Sequence, residues 1–261
     1  MICYVGKNAI DLCKIYKPDC IICNLDDIGV DTWRPSLKKY AIENNIKIVS
    51  LEDVYPVKNL VFVSVEFDKL INPKLFASKK LINVHYSLLP KYRGCLTSIW
   101  PILNGETKSG VTIHLIDDGI DTGPILDQIE FDIDINDTAR DLYFKYMNTS
   151  KDITIDLNSS SESILQPILG TSYYSSRSLD LMNIKIDLNK TSFEIHNQIR
   201  AFIFPEYQLP TLFGRKITSS ILTNEFIGRN KREIEDKMII SGMDGYKIEL
   251  TFKNNDDNLT R

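Results

Sequence analysis

A chain of 261 residues with 43% hydrophobic, 25% charged and 10% aromatic content has the make-up of a globular enzyme, which excludes collagen, coiled coil and wholesale disorder. Its formal net charge of −4 and pI near 5.5 argue against a protein that holds nucleic acid by bulk electrostatics. No apolar run approaches the roughly 18 residues that cross a bilayer, and MICYVGKNAIDL lacks the sections of a signal peptide, so a cytoplasmic protein without a membrane partner is expected. Five cysteines, Cys3, Cys13, Cys20, Cys23 and Cys95, imply no disulfide framework in a reducing compartment. Cys20 and Cys23 form a CxxC, but CIIC continues the apolar run of a strand and no partner follows at zinc spacing.

Up to about residue 120 short apolar runs alternate with helical stretches: CIICNL, TWRPSLKKYAIENN, IKIVSL, LVFVSVEF, PKLFASK and LINVHYSLL. Such alternation predicts an α/β fold, a mainly parallel Rossmann-like sheet with helices on both faces. A helix is predicted over 32–45, with Trp33, Leu37, Tyr40 and Ala41 near one face. No GxGxxG follows the first strand, since YVGKNAID carries one glycine, and a dinucleotide site is unsupported. Next come GVTIHLID and PILDQIEFDI, joined by a turn rich in Asp and Gly, the pattern of a hairpin or edge pair.

A helix is predicted from near Asp137, where Ala139, Leu142, Tyr143, Tyr146 and Met147 recur with helical period. LNSSSES interrupts that period, and 170–190 is irregular, as in a long connection. A further helix opens at Thr191 with a T-x-x-E capping box to Glu194, and Ile195, Ile199, Phe202 and Ile203 line its inner face. Strand-like runs and the turn GMDGY then suggest a small β appendage, with NNDDNLTR frayed at the end. The expected division is a catalytic α/β domain over 1–170 and a linker, helix and small β module over 171–261.

Residues 82–123, INVHYSLLPKYRGCLTSIWPILNGETKSGVTIHLIDDGIDTG, carry the chemistry. Asn83 and His85 stand two apart on a strand, so both side chains face the same space. SLLP then breaks into a loop at what would be the C-terminal edge of a parallel sheet, where α/β proteins place ligand crevices. Asp121 lies in GIDTG, a glycine-flanked turn that holds its carboxylate in place. An amide, an imidazole and a carboxylate suit acyl transfer without a covalent intermediate: amide and imidazole stabilise a developing oxyanion, and the carboxylate orients the imidazole and assists proton movement.

The pattern N-x-H-x-S-L-L-P-x-x-R-G, followed by G-V-T-x-H and D-x-G-x-D-T-G, resembles the formyltransferases that use N10-formyltetrahydrofolate. The resemblance is densest over 82–125 and extends over about 60–150; it is weakest at the N-terminal glycine turn and between 150 and 190. It implies that the catalytic amide falls on Asn83, the imidazole on His85 and the carboxylate on Asp121, that formyl-folate is the co-substrate, and that no metal is required. Arg93 and Asp117 match positions along the formyl-folate pocket of related domains; as plain residues, the first is a solvated charge and the second closes the 117–123 turn.

The acceptor follows from what comes after the α/β domain. A tRNA-directed member of the family is typically longer and carries a basic C-terminal barrel, whereas residues 211–261 hold nine Lys or Arg and eight Asp or Glu, a balance that gives tRNA no electrostatic support. IHNQIRAFIFPEYQLPTLFGRKI resembles the segment after the catalytic domain of sugar N-formyltransferases. There Phe204 and Tyr207 offer rings for a pyrimidine and Arg200 a charge for phosphate, whereas Phe202 reads as core. The resemblance therefore implies a dTDP-linked amino-dideoxyhexose as acceptor, with the 4-amino-4,6-dideoxyglucose favoured over a 3-amino sugar, and a homodimer by family habit. A methionyl-tRNA formyltransferase and a non-catalytic folate-binding module are the alternatives.

Overall fold

Near-continuous Val, Ile, Phe and Leu runs mark strands buried on both faces, and they order the first half of the chain. A computed structural model describes residues 1–153, 162–234 and 237–253. In chain order its elements are β1 (Ile2–Val5), α1 (Ile10–Ile15), β2 (Cys20–Ile22), α2 (Leu37–Glu43), β3 (Lys47–Ile48), α3 (Leu51–Val54), β4 (Val61–Val65), β5 (Lys80–His85), β6 (Arg93–Gly94), α4 (Trp100–Leu103), β7 (Lys108–Leu115), β8 (Ile125–Asp132) and α5 (Ala139–Thr149). There follow β9 (Tyr173–Tyr174), α6 (Ser192–Arg200), β10 (Thr211–Leu212), β11 (Arg215–Phe226), β12 (Lys231–Ile234), β13 (Lys237–Ser241) and β14 (Tyr246–Phe252).

Seven strands form a Rossmann-like sheet in the order β3-β2-β1-β4-β5-β7-β8. The first five run parallel and β7 joins β5 antiparallel. Leu115 N donates to the Pro124 carbonyl at 2.9 Å, closing the turn between β7 and β8. One face is sealed by Cys3, Val5, Cys20, Ile22, Leu60, Phe62 and Leu81 packed with Leu51, Val54 and Phe76. Cys20 of the CxxC is thus strand core, opposite Cys3 in the register. A second sheet, β10-β11-β14-β13-β12, packs Ile217, Met238, Ile240, Ile248, Leu250 and Phe252 with Ile195 and Ile199 of α6.

Two helical expectations are corrected. The helix predicted from residue 32 begins at Leu37, because Pro35 biases the residue before it away from helical torsions and the Ser36 side chain caps the helix by accepting from Lys39 N. PKLFASK forms only a 3-10 turn over Pro73–Leu75. The capping box at Thr191 is present with both of its reciprocal bonds to Glu194. Most of LNSSSES and all of NNDDNLTR lie outside the described residues.

By contact density the chain divides into two compact units, one of Met1–Gly94, Gly110–Glu130 and Tyr146–Tyr173, the other of Cys95–Ser109, Phe131–Lys145 and Tyr174–Arg261. Among the described residues no helix is long and apolar enough to cross a membrane. In the second unit His196 is fully buried; its Nε2–H donates to the Ile135 carbonyl and its Nδ1 meets the Ser220 hydroxyl, each at 2.8 Å. Burial holds its pKa down to about 4, opposed by the Ile135 carbonyl. The fold therefore prefers the neutral ring, and the unfolded chain takes up the proton first as pH falls from about 6.5. Stability should be complete above that pH and decline toward pH 4, by at most about 3 kcal/mol. Urea unfolding at pH 7 and 4.5 checks this, and the difference should shrink in His196→Gln.

Candidate active site

The C-terminal end of β5 places Asn83 and His85 on one side of the sheet, and the antiparallel neighbour β7 sets His114 directly across from Asn83. The chain then turns through 117–123 and brings Asp121 to the same place. The Asp121 Oδ1 accepts from Asn83 Nδ2 at 3.2 Å and lies 3.5 Å from His114 Nε2. Its Oδ2 lies 3.5 Å from His85 Nδ1 and accepts from Gly94 N at 2.8 Å. The triad expected from sequence is one cluster, with His85 and His114 buried.

The turn explains why Asp121 is held so firmly. Asp117 Oδ1 accepts from Gly119 N at 3.0 Å and from the Thr122 hydroxyl at 2.6 Å. A side chain at Gly123 would run into the Leu115 carbonyl. Asp121 itself sits at φ 53, in the left-handed region that non-glycine residues occupy only when their surroundings hold them there.

Carbonyl oxygens only accept, and this assigns the tautomers. His114 Nδ1–H donates to the Leu115 carbonyl at 2.8 Å, so in a neutral ring its Nε2 is an acceptor for Asn83 Nδ2–H at 3.2 Å. His85 Nε2–H donates to the Tyr92 carbonyl at 2.8 Å, which in the neutral ring leaves Nδ1 bare in front of a carboxylate oxygen. Burial lowers the His85 pKa, opposed by Asp121 and the Tyr92 carbonyl. Burial also works against ionisation of Asp121, but His85, the His114 ring and Gly94 N–H outweigh it and hold the carboxyl well below the usual range. The two shifts pull against each other, since His85 helps Asp121 most when charged and burial keeps it neutral. Gly94 N–H and Asn83 Nδ2–H donate whatever the state of His85, so Asp121 is ionised. A bare imidazole nitrogen facing an ionised carboxylate is a place prepared to receive one proton.

Arg93 and Asp117 are both half-buried. Arg93 directs Nε and Nη2 at the Gln166 Oε1, at 3.1 and 2.7 Å, and is not a solvated charge; Asp117 closes its turn, as its plain reading had it. Arg200 corrects the expectation of a phosphate ligand. It is 2% exposed, its Nε donates to Asn197 Oδ1 at 2.9 Å, and its Nη1 donates to the carbonyls of Asp134 and Asp137 at 3.2 and 2.6 Å. Phe204 is likewise buried, edge-on to Tyr143 at 5.6 Å, and is core rather than a stacking platform. Tyr207 is 57% exposed beside the Phe204 ring. Sequence reasoning missed His114 beside Asn83, although the motif G-V-T-x-H that contains it was the available signal, and it missed Gln166, for which no pattern existed.

A family model described as formyl transferase matches residues 42–156. Two solved structures are similar over nearly the whole chain. WlaRD, a sugar 3-N-formyltransferase crystallised in the presence of dTDP and 5-N-formyl-THF, is 48% identical with a TM-score of 0.92, covering 97% of this chain and 98% of that one. An N-formyltransferase from Helicobacter canadensis, in complex with folinic acid and dTDP-3-aminofucose, is 47% identical with a TM-score of 0.91, covering 97% and 99%. The methionyl-tRNA formyltransferase of Clostridioides difficile (strain 630) is 35% identical over 178 residues, which is 63% of this chain and 58% of that relative. The chain thus matches little more than half the length of that curated relative. It belongs to the formyltransferase family.

Proposed function

We propose that the chain is a sugar N-formyltransferase, moving a formyl group from N10-formyltetrahydrofolate to the amine of a dTDP-linked amino-dideoxyhexose. The observation that carries the reading is the cluster in which the Asp121 carboxylate lies within hydrogen-bond or ion-pair reach of Asn83, His85 and His114. An amide donor, a bare imidazole nitrogen and an ionised carboxylate are a donor set suited to acyl transfer to an amine. Both relatives at 47–48% identity are linked to dTDP, and they are a 3-N enzyme and a complex with a 3-amino sugar. We therefore place the acceptor amine at C3 rather than at the C4 preferred from sequence. The reading extends to a cytoplasmic homodimer that takes no nucleic acid, with residues 1–170 as catalytic module.

When bound, the folate supplies a formyl carbon open to attack by an amine. The chain's own groups do the rest. One of the two Asn83 Nδ2 hydrogens stays on His114, and the one that rests on Asp121 Oδ1 turns to the negative charge that develops on the carbonyl oxygen. His85 Nδ1 receives the proton that the amine sheds, Asp121 stabilises the imidazolium so formed, and the imidazolium returns the proton to N10 of the folate as the bond between N10 and the formyl carbon breaks. His114, its Nδ1–H fixed on the Leu115 carbonyl, holds the Asn83 amide in orientation.

Purified protein assayed with N10-formyltetrahydrofolate against dTDP-3-amino-3,6-dideoxyhexoses, dTDP-4-amino-4,6-dideoxyglucose and methionyl-tRNA should formylate the 3-amino sugar most efficiently. Formylation of the tRNA alone overturns the reading. In the same assay Tyr207→Ala should raise KM for the sugar nucleotide by the equivalent of about 1–3 kcal/mol, as for loss of one base stacked on a ring, and leave KM for the folate unchanged.

A further inference from the structure

Between the irregular stretch and β9, residues 164–172 run across the loops that carry the reacting groups. Ile164 and Ile125 exchange two backbone hydrogen bonds, both 2.8 Å, which pins the segment beside the start of β8. Two residues on, Gln166 Nε2 donates to the carbonyls of Asp121 and Gly123 at 2.9 and 2.8 Å. Its Oε1 accepts both Nε–H and Nη2–H of Arg93. Two donors and two lone pairs are all that a primary amide offers, and every one is spent here. Farther along, Ser172 accepts from Tyr92 N through its hydroxyl at 2.7 Å and from Arg93 N through its carbonyl at 2.9 Å.

These contacts fall on the two loops that fix the proton-transfer pair. Tyr92, at φ 60, presents the carbonyl that takes the His85 Nε2–H, and Asp121, at φ 53, faces the other ring nitrogen. Both backbones are in a region that must be held from outside. Asp121 has its own carbonyl in the grip of Gln166, and Gly123, two residues on, has its carbonyl in the same amide. Resting on the proposed formyl transfer, we propose that Gln166 is a positioning residue for the reaction: it clamps the Asp121 turn to the Arg93 loop and so keeps the carboxylate aligned with His85.

The clamp has two halves that substitution separates. Gln166→Glu keeps an acceptor for Arg93 and loses both donors to the Asp121 turn, whereas Gln166→Met, of similar length, loses both halves. Both variants should lower kcat about tenfold or more with KM for the folate little changed, as for a small misplacement of a reacting group. In an Asp121→Asn background Gln166→Glu should cost less than about twofold, because residues acting through one another are not additive. Retention of wild-type kcat by Gln166→Glu while Gln166→Met loses it overturns the proposal in favour of a role confined to Arg93. A full loss in the Asp121→Asn background overturns it in favour of a general structural role. If Gln166→Met does not fold, Gln166→Glu and its cycle with Asp121→Asn carry the test. NMR titration of the His85 ring in wild type and Gln166→Glu needs no substrate: a displaced curve supports the clamp and an unchanged one overturns it. Absence of formyl transfer by the wild type sinks the proposed function alone.

Discussion

Replacing His85 by alanine is expected to lower kcat by roughly 10²–10⁴, the range associated with losing a positioned proton acceptor or a preorganised charge stabiliser. The ring spans the Tyr92 carbonyl at 2.8 Å and the Asp121 carboxylate at 3.5 Å, so its loss removes the base whose bare nitrogen faces the Asp121 Oδ2. The substitution also strips the Tyr92 carbonyl of a donor, at about 1–3 kcal/mol. A thermal melt run alongside the kinetics separates that cost from catalysis. Single-turnover rates that stay near wild type, in an enzyme that remains folded, rule out the role assigned to His85. Asn83→Ala and Asp121→Ala should fall in the same range, and combining either with His85→Ala should add little, since groups acting as a unit are not additive.

Arg200→Met is expected to cost about 3–5 kcal/mol of stability, the largest loss foreseen away from the reacting groups. Burial pulls the guanidinium pKa down to about 10, with Asp137 opposing, so the side chain is charged at neutral pH and depends on the carbonyls of Asp134 and Asp137 and on Asn197. Methionine fills much of the volume but takes the donor from Asn197 Oδ1 and the Asp137 carbonyl, whereas the Asp134 carbonyl keeps Asp137 N, and each acceptor that loses its donor costs about 1–3 kcal/mol. Urea unfolding measures it. A phosphate-binding arginine would behave the other way, with unchanged stability and a raised KM for the sugar nucleotide, and that result would return Arg200 to the role first read from sequence.

The contrast between His85 and Arg200 shows what a sequence exposes. Asn83, His85 and Asp121 were legible because strand alternation puts the first two on one face and a glycine-bounded turn frames the third, all within forty residues. His114 was not, because a histidine in GVTIHL reads as strand core until β7 is known to run antiparallel beside β5. Gln166 reaches Asp121 across 45 positions from a segment with no period to read. Arg200 sits at the end of a helix that the capping box announces, but its carbonyl partners lie 63 and 66 positions upstream, and backbone acceptors leave no mark in the letters of a sequence. The parallel sheet and the helix at Thr191 followed from hydrophobic period and caps, whereas the start of α2 turned on Pro35 and Ser36, two residues that punctuate locally.

The chain passes between its two compact units at 94/95, 109/110, 130/131, 145/146 and 173/174, and this bears on how the molecule comes off a ribosome. Domains generally fold from the N-terminus as they emerge, yet neither unit here is a continuous piece that could do so. Ile99 and Ile102, Ala139 and Leu142 are buried in the finished protein and belong to the unit whose remaining segment, Tyr174–Arg261, is made last. The turn bearing Asp121 likewise waits for Gln166 before its carbonyls are claimed. Synthesis as far as Gln166, well past the strands that carry Asn83, His85 and His114, therefore precedes the full set of contacts that hold Asp121.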